Sequence, residues 1–186
     1  MKRIFPKSYA IRVQRLRVPF GFVLAIIFLF LASPELWSLL AGLPFAAAGL
    51  ALRTWAAGHL RKDVSLVCSG PYAWTRNPLY LGTFLIALGC AVAAAQPVIV
   101  AAVFALFFLI YVPVMEQEQE HLGNIFPAYA DYAARVPLLL PRPPKVRSSL
   151  KYSGHLWRRN KEWKAWYGFL AVEVFLLVQV LLSSGR

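Results

Sequence analysis

Acidic residues and cysteines are both scarce in this sequence. Its 186 residues include 8 Asp and Glu against 20 Lys and Arg, which gives a formal net charge of +12. The two cysteines, Cys68 and Cys90, are too few for a disulfide framework and resemble no metal-ligand cluster. The three histidines, His59, His121 and His155, are scattered, which argues against a zinc site. We therefore predict no metal centre.

Several common catalytic motifs are also missing. The chain has no Walker A loop, no G-x-G-x-x-G after a strand and no Ser-His-acid arrangement that the spacing supports. These absences argue against P-loop NTPases, Rossmann dehydrogenases and serine hydrolases. No convincing small-residue cleavage site follows the first apolar run, so we interpret that run as a retained anchor rather than a signal peptide.

Apolar residues, in contrast, are abundant. They make up 59% of the chain, more than the roughly half that is usual in soluble domains. Runs of this length predict an all-α integral membrane protein with about five transmembrane helices and short interfacial helices. We place the spans near residues 19–33, 36–58, 77–95, 97–115 and 165–184, and the pattern of the fourth continues as helix to about residue 122.

The basic residues give these spans an orientation. With the N-terminus in the cytoplasm, 19 of the 20 Lys and Arg fall on the inner side, and only Arg186 lies outside. Because these charges flank apolar segments, they predict contact with anionic lipids rather than with nucleic acid.

The chain divides into three parts. We predict a basic interfacial arm over residues 1–18, a four-span membrane core over 19–141, and a basic linker plus the fifth span over 142–186. For the arm, a simple basic flank that only fixes orientation is an equal alternative.

One stretch between the second and third spans combines several backbone constraints. Gly70 permits a turn, and Pro71 and Pro78 each fix φ and lack a backbone N–H. Pro78 suits the first position of the next helix, with Asn77 as its N-cap. Because a helix N-terminus exposes N–H groups, this end beside Arg76 favours a carboxylate or phosphate ligand. A rigid turn with a snorkelling arginine explains the same pattern equally well.

Three glutamates directly follow the fourth apolar run. Glu116 and Glu120 are four residues apart and share a helix face, whereas Glu118 points elsewhere. In the predicted orientation they share the cytoplasmic side with the 70–82 stretch, so we predict a polar site between residues 66–82 and 115–137. The alternative is that Glu116 and Glu120 are ordinary solvated residues at a helix end.

The 70–82 stretch resembles the signature of the isoprenylcysteine carboxyl methyltransferase family and its phospholipid N-methyltransferase relatives. That signature reads G-P-Y-x-x-x-R-H/N-P-x-Y-x-G, and every fixed position is met. Downstream, the family has paired glutamates, a leucine, an aromatic, a tyrosine and R-V-P. The matching residues here are Glu118, Leu122, Phe126, Tyr129, Tyr132 and Arg135-Val136-Pro137, with Gln119 in place of the second glutamate and Pro127 in place of a glycine.

The resemblance covers about residues 50 to 141. It implies an S-adenosylmethionine-dependent methyltransferase of the bacterial inner membrane that acts on a lipidic or isoprenoid acceptor, at a carboxylate or an amine. It implies catalytic roles for Arg76 and Glu118. The implied cofactor contacts are Gly70, Pro71, Tyr72, Arg76, Asn77, Pro78, Tyr80 and His59, and the implied substrate contacts are Arg53, Tyr129 and Arg135.

Two other functions fit a small basic membrane protein. One is a non-enzymatic scaffold. The two motifs on the cytoplasmic side argue against it, because a scaffold does not need fixed residues there. The other is a sterol-reductase-like enzyme, which has a related helical core and predicts binding of NADPH instead.

Overall fold

The computed structural model of the chain describes residues 3–62, 64–144 and 151–184. Within these ranges all regular structure is helical and no β-strand occurs, which confirms the predicted all-α membrane protein. The helices are α1 Lys7–Leu31, α2 Leu36–Ala57, α3 Pro78–Ala93, α4 Pro97–Leu106, α5 Val112–Ile125, α6 Tyr129–Arg135, α7 Gly154–Arg159 and α8 Trp163–Ser184.

Four helical segments are long and apolar enough to cross a membrane: α1, α2, Pro97–Ile125 and Trp163–Ser183. The third of these joins α4 to α5 through a π-helical turn at Phe107–Tyr111. The third predicted span, α3, has only 16 residues, or about 24 Å of helix, less than the roughly 30 Å of a hydrocarbon core. Four of the predicted spans are therefore found at full length, and α3 is a shorter apolar helix.

The first helix also differs from the prediction. It begins at Lys7 rather than at residue 19 and runs through Pro19, so most of the predicted basic arm is the first half of α1. An internal proline removes one helical hydrogen bond, a loss that membrane helices tolerate. The arm is helical because residues 3–7 are bound to α5, as described below.

The two ends of the helix bundle differ in charge. At one end, the short connections are joined by hydrogen bonds from the Ser33 N–H to the Ala94 carbonyl at 3.0 Å and from Ser38 Oγ to the Ala93 carbonyl at 2.8 Å. The Lys and Arg residues that the structure describes lie toward the opposite end, on or beside the first half of α1, the last turn of α2 and the connections that follow. We call this opposite end the basic end.

Helices α2 and α3 cross at two pairs of facing glycines. A Cβ atom at Gly42 would lie 2.3 Å from the Gly89 carbonyl oxygen, and one at Gly49 would lie 2.6 Å from the Gly82 carbonyl oxygen. No side chain fits at these distances, so the two backbones pack directly against each other, as small residues allow in membrane helices. The contact fixes the start of α3 against the end of α2.

We predict that Gly49→Ala lowers the free energy of unfolding by about 1–3 kcal/mol, because the added methyl group overpacks a closed contact. Thermal unfolding in detergent measures the change. Gly168→Ala on α8 is the matched control, since a Cβ there meets no atom within 4 Å. Equal melting temperatures for the two variants would show that the α2–α3 contact is not as close as described.

Candidate active site

The predicted turn forms between α2 and α3. A 3₁₀ turn spans Gly70–Ala73, and Pro78 starts α3 as expected. Gly70 has φ +56°, and a Cβ there would lie 2.8 Å from the His59 ring, so only glycine fits. Asn77 holds the predicted N-cap position of α3, but its side chain makes no capping hydrogen bond. Its side-chain amide instead donates to the Leu138 carbonyl at 3.0 Å.

A connector after α6 holds this turn in place. It is the extended segment 136–142, which lies against the turn and bonds to it mainly through backbone groups. The pairs are Arg76 N to Pro137 O at 2.9 Å, Thr75 Oγ1 to Leu138 O at 3.2 Å and Arg142 N to Trp74 O at 3.0 Å, and Tyr132 of α6 donates its hydroxyl to Tyr72 O at 2.7 Å. The two family-like motifs are thus one structural unit.

The side chain of Arg76 lies between α5 and α6. Its guanidinium donates to the amide oxygen of Gln119, which is 8% exposed, and faces the hydroxyl of Tyr129. Its Nε is buried and has no hydrogen-bond partner among the described residues. Gln119, the departure from the paired glutamates, therefore supplies a neutral acceptor for Arg76.

The three glutamates of α5 have different neighbours. Glu118 faces the hydroxyl of Tyr80 and lies near Tyr72. Glu116 and Glu120 bind the chain's N-terminal segment instead. Glu116 is buried and is therefore not an ordinary solvated residue, whereas Glu120 is exposed at the helix end. Glu116 accepts from the N–H groups of Ile4 and Phe5 at 2.6 and 3.3 Å, and Glu120 pairs with Arg3 at 2.9 Å and with Lys7.

A cavity of about 1260 Å³ lies at the basic end, between α1, α3, α5 and α6. We call it the main cavity. Pockets for one small molecule are usually about 300–1,000 Å³, so the main cavity is larger than a usual single-ligand pocket. The predicted site residues that line it are Arg53, Tyr72, Arg76, Asn77, Pro78, Tyr80, Glu118 and Tyr129.

Four predicted site residues do not line the main cavity. Gly70 and Pro71 belong to the 3₁₀ turn that precedes α3. His59 lines a second cavity, and one of its ring nitrogens contacts the Trp55 carbonyl in the preceding helical turn. Arg135 is exposed, and its Nε donates to the Asp131 carbonyl of its own helix at 3.1 Å. Its proximity in sequence to the second motif does not bring its side chain to the cavity.

Arg53 lies on the cavity wall but has protein partners. Its guanidinium forms an ion pair with Glu162, which is 5% exposed, and donates to Thr83 Oγ1. Gly82 of the signature makes room for this side chain, since a Cβ there would lie 2.6 Å from Arg53 Cγ. Arg53 thus connects α2 to α3 and to the start of α8. The sequence predicted it only as a substrate contact and did not predict this structural role.

The sequence reading missed one wall of the main cavity. Gln14, Arg17, Gly21, Phe22 and Ala25 of α1 line it. Positions 14, 17, 21 and 25 are three or four residues apart, and Phe22 is next to Gly21, which is the pattern of one helical face. A separate arm at residues 1–18 divides this face between two predicted segments.

The tyrosines outside the spans stay protonated. Burial, reinforced by the nearby Glu118 carboxylate, raises the pKa of Tyr72 far above its usual value. Burial also raises the pKa of Tyr132 and of Tyr129, and Arg76 partly opposes the change at Tyr129. These hydroxyls are therefore hydrogen-bond donors at neutral pH.

We predict that Gln119→Glu keeps the site working, because a carboxylate at this position accepts from Arg76 as the amide does. Gln119→Leu should lower ligand affinity by about tenfold, because it leaves the buried guanidinium without its acceptor. The affinities are compared by titrating both purified variants with S-adenosylmethionine, the cofactor that the resemblance implies. Equal affinity in the leucine variant would show that Gln119 does not hold Arg76.

Comparison with known proteins finds one family model and several related proteins. The family model described as phospholipid methyltransferase matches residues 46–129. The cobalt-zinc-cadmium resistance protein CzcN of Cupriavidus metallidurans is 36% identical over 148 residues, covering 76% of this chain and 67% of the relative. The nickel-cobalt-cadmium resistance protein NccN of Alcaligenes xylosoxydans xylosoxydans is 34% identical over 131 residues, covering 68% of this chain and 60% of the relative.

A mammalian relative matches over a shorter region. Mouse protein-S-isoprenylcysteine O-methyltransferase is 39% identical over 79 residues, which are 41% of this chain and 28% of the relative. The chain thus spans 60–67% of the length of the two metal-resistance relatives and a smaller part of the mouse enzyme. No solved structure matches the chain.

Proposed function

Because the chain belongs to the isoprenylcysteine and phospholipid methyltransferase family, we propose that it methylates a lipidic or isoprenoid acceptor with S-adenosylmethionine. The family supports a membrane methyltransferase, and the apolar helices support an integral membrane protein. The observation that carries the finer proposal is the meeting of Arg76 and Glu118 in one cavity between membrane helices. The positive-inside rule puts this basic end in the cytoplasm, where the cofactor is available.

The main cavity fits a polar, charged cofactor. The Arg76 Nε and the Tyr72 hydroxyl are both buried without a protein partner, and a buried donor of this kind is costly unless a ligand satisfies it. Arg76, Tyr72 and Tyr129 would hold the cofactor through its carboxylate and other polar groups. When bound, S-adenosylmethionine supplies the methyl group.

Glu118 is the residue we assign to the acceptor. Its carboxylate would hold an amine acceptor and take up its proton, whereas Arg76 would orient a carboxylate acceptor. The apolar part of the cavity wall, at Val18, Phe22 and Ala25 of α1, is the side on which an acyl or prenyl chain would lie. The position of the cavity between helices would hold both reactants in place.

We predict that Arg76→Ala abolishes binding of S-adenosylmethionine, because it removes a cavity cation whose hydrogen-bond acceptor, Gln119, is neutral. Calorimetry on protein purified in detergent measures the binding. Arg135→Ala is the matched control, since this exposed arginine lies outside the cavity, and it should bind normally. Saturable binding of NADPH and none of S-adenosylmethionine by folded wild-type protein would favour the reductase function, and binding of neither would favour the scaffold.

We predict that Glu118→Gln retains cofactor binding but lowers methyl transfer by about 100-fold or more, the usual size of a general-base contribution. Transfer of a labelled methyl group into a total lipid extract measures the rate. Glu35→Gln, at the opposite end of the bundle, controls for the loss of one carboxylate. Unchanged transfer in the Glu118 variant would exclude this role.

The two metal-resistance relatives support a second candidate function. We propose that methyl transfer by this protein contributes to tolerance of the divalent metals named for CzcN and NccN, which are cobalt, zinc, cadmium and nickel. Growth of a host strain on these metals, with wild type or with Arg76→Ala, tests it. Equal protection by both would separate metal tolerance from methyl transfer.

A further inference from the structure

A second cavity, of about 410 Å³, lies where the C-terminal part of the chain packs on the core. Its basic residues come from two stretches that are far apart in sequence. Arg61 and Lys62 follow α2, whereas Lys151, His155 and Arg159 belong to α7 and the segment before it. Of the described residues that line this basic cavity, none is acidic.

Hydrogen bonds fix the shape of the basic cavity. The Ser153 N–H donates to the Gly58 carbonyl at 2.9 Å, and the Asn160 amide donates to the carbonyls of Ala57 and Leu60 at 2.9 and 3.1 Å. These donors satisfy carbonyls at and just beyond the C-terminus of α2. The ring of Tyr152 closes over Gly58, where a Cβ would lie 2.2 Å from it. The cationic groups are therefore gathered by a defined backbone contact.

Among the residues that the structure describes, no acidic side chain lines the basic cavity to balance its charge. Glu162 follows α7 directly, but its buried carboxylate pairs with Arg53 on the side of the main cavity. Like charges gathered in one cavity repel one another, and an anion that enters removes this repulsion. Arginine guanidinium groups match the oxygen geometry of phosphate in particular.

The position of the basic cavity at the ends of apolar helices also favours lipid head groups as ligands. It adjoins the end of α2 and the start of α8, two membrane-spanning helices, at the basic end of the bundle. Trp163 and Trp166 in the first turn of α8 are 42% and 41% exposed, as is typical of the membrane–water interface. We propose that the basic cavity binds a phosphate group, carried by an anionic phospholipid or by a soluble phosphate compound.

The test removes two charges from the basic cavity alone. Lys151 and Arg159 line it without lining the main cavity, so Lys151→Gln/Arg159→Gln leaves the proposed active site intact. Arg158→Gln/Lys164→Gln is the matched control, because both residues are exposed, neighbour the same region and line neither cavity. Calorimetry on full-length protein in neutral detergent measures binding of dihexanoyl phosphatidylglycerol and of inorganic phosphate.

We expect the cavity variant to lose about 30-fold in affinity, since each basic residue near an anionic surface contributes about fivefold, and the control to lose less than about threefold. Tighter binding of phosphatidylglycerol than of inorganic phosphate identifies a lipid as the source, and equal binding identifies soluble phosphate. Binding of neither by wild type, or an equal loss in the control variant, would overturn the proposal. These readouts are separate from S-adenosylmethionine binding, so each proposal can fail alone.

Discussion

The backbone hydrogen bonds between the 70–78 turn and the 136–142 connector are the constraint on which the site depends. They join parts of the chain about sixty residues apart and satisfy polar groups that two prolines leave without helical partners. Because the Arg76 backbone is bound in this way, its side chain enters the space between α5 and α6. Without the connector, the Arg76 side chain would not be held beside Gln119 of α5 and Tyr129 of α6.

The glycine contacts between α2 and α3 supply the second constraint. They let the backbones meet so closely that Arg53 of α2 reaches Thr83 of α3, with its ion-pair partner Glu162 coming from the C-terminal part of the chain. A buried charge of this kind needs a partner, since an unpaired one is costly in a low-dielectric environment. The C-terminal helix is therefore coupled to the cavity wall through one carboxylate, although the phospholipid methyltransferase model matches only residues 46–129.

The features that sequence predicted well are those set by local chemistry. A positive φ at Gly70, a proline at the start of α3 and apolar runs of spanning length each follow from a few adjacent residues. The failures needed long-range information. Asn77 has the right type and place for an N-cap, but Leu138 competes for its amide. The segment just before α1 is bound by Glu116, more than one hundred residues away. No local pattern around Glu162 indicates that it pairs with Arg53.

The π-helical turn at Phe107–Tyr111 sets the rotational phase of α5 relative to α4. An α-helix turns by about 100° per residue, and a π turn accommodates an extra residue within it. Every side chain after Tyr111 is therefore rotated from where an unbroken helix would place it. Because of this wider turn, which lies about two helical turns before Glu118, Glu118 faces Tyr80. Glu116 and Glu120 bind the N-terminal segment instead. Deleting one residue from this turn would rotate α5 and place a neighbouring side chain at the cavity position of Glu118. The length of the turn therefore matters to the chemistry as much as the identity of Glu118.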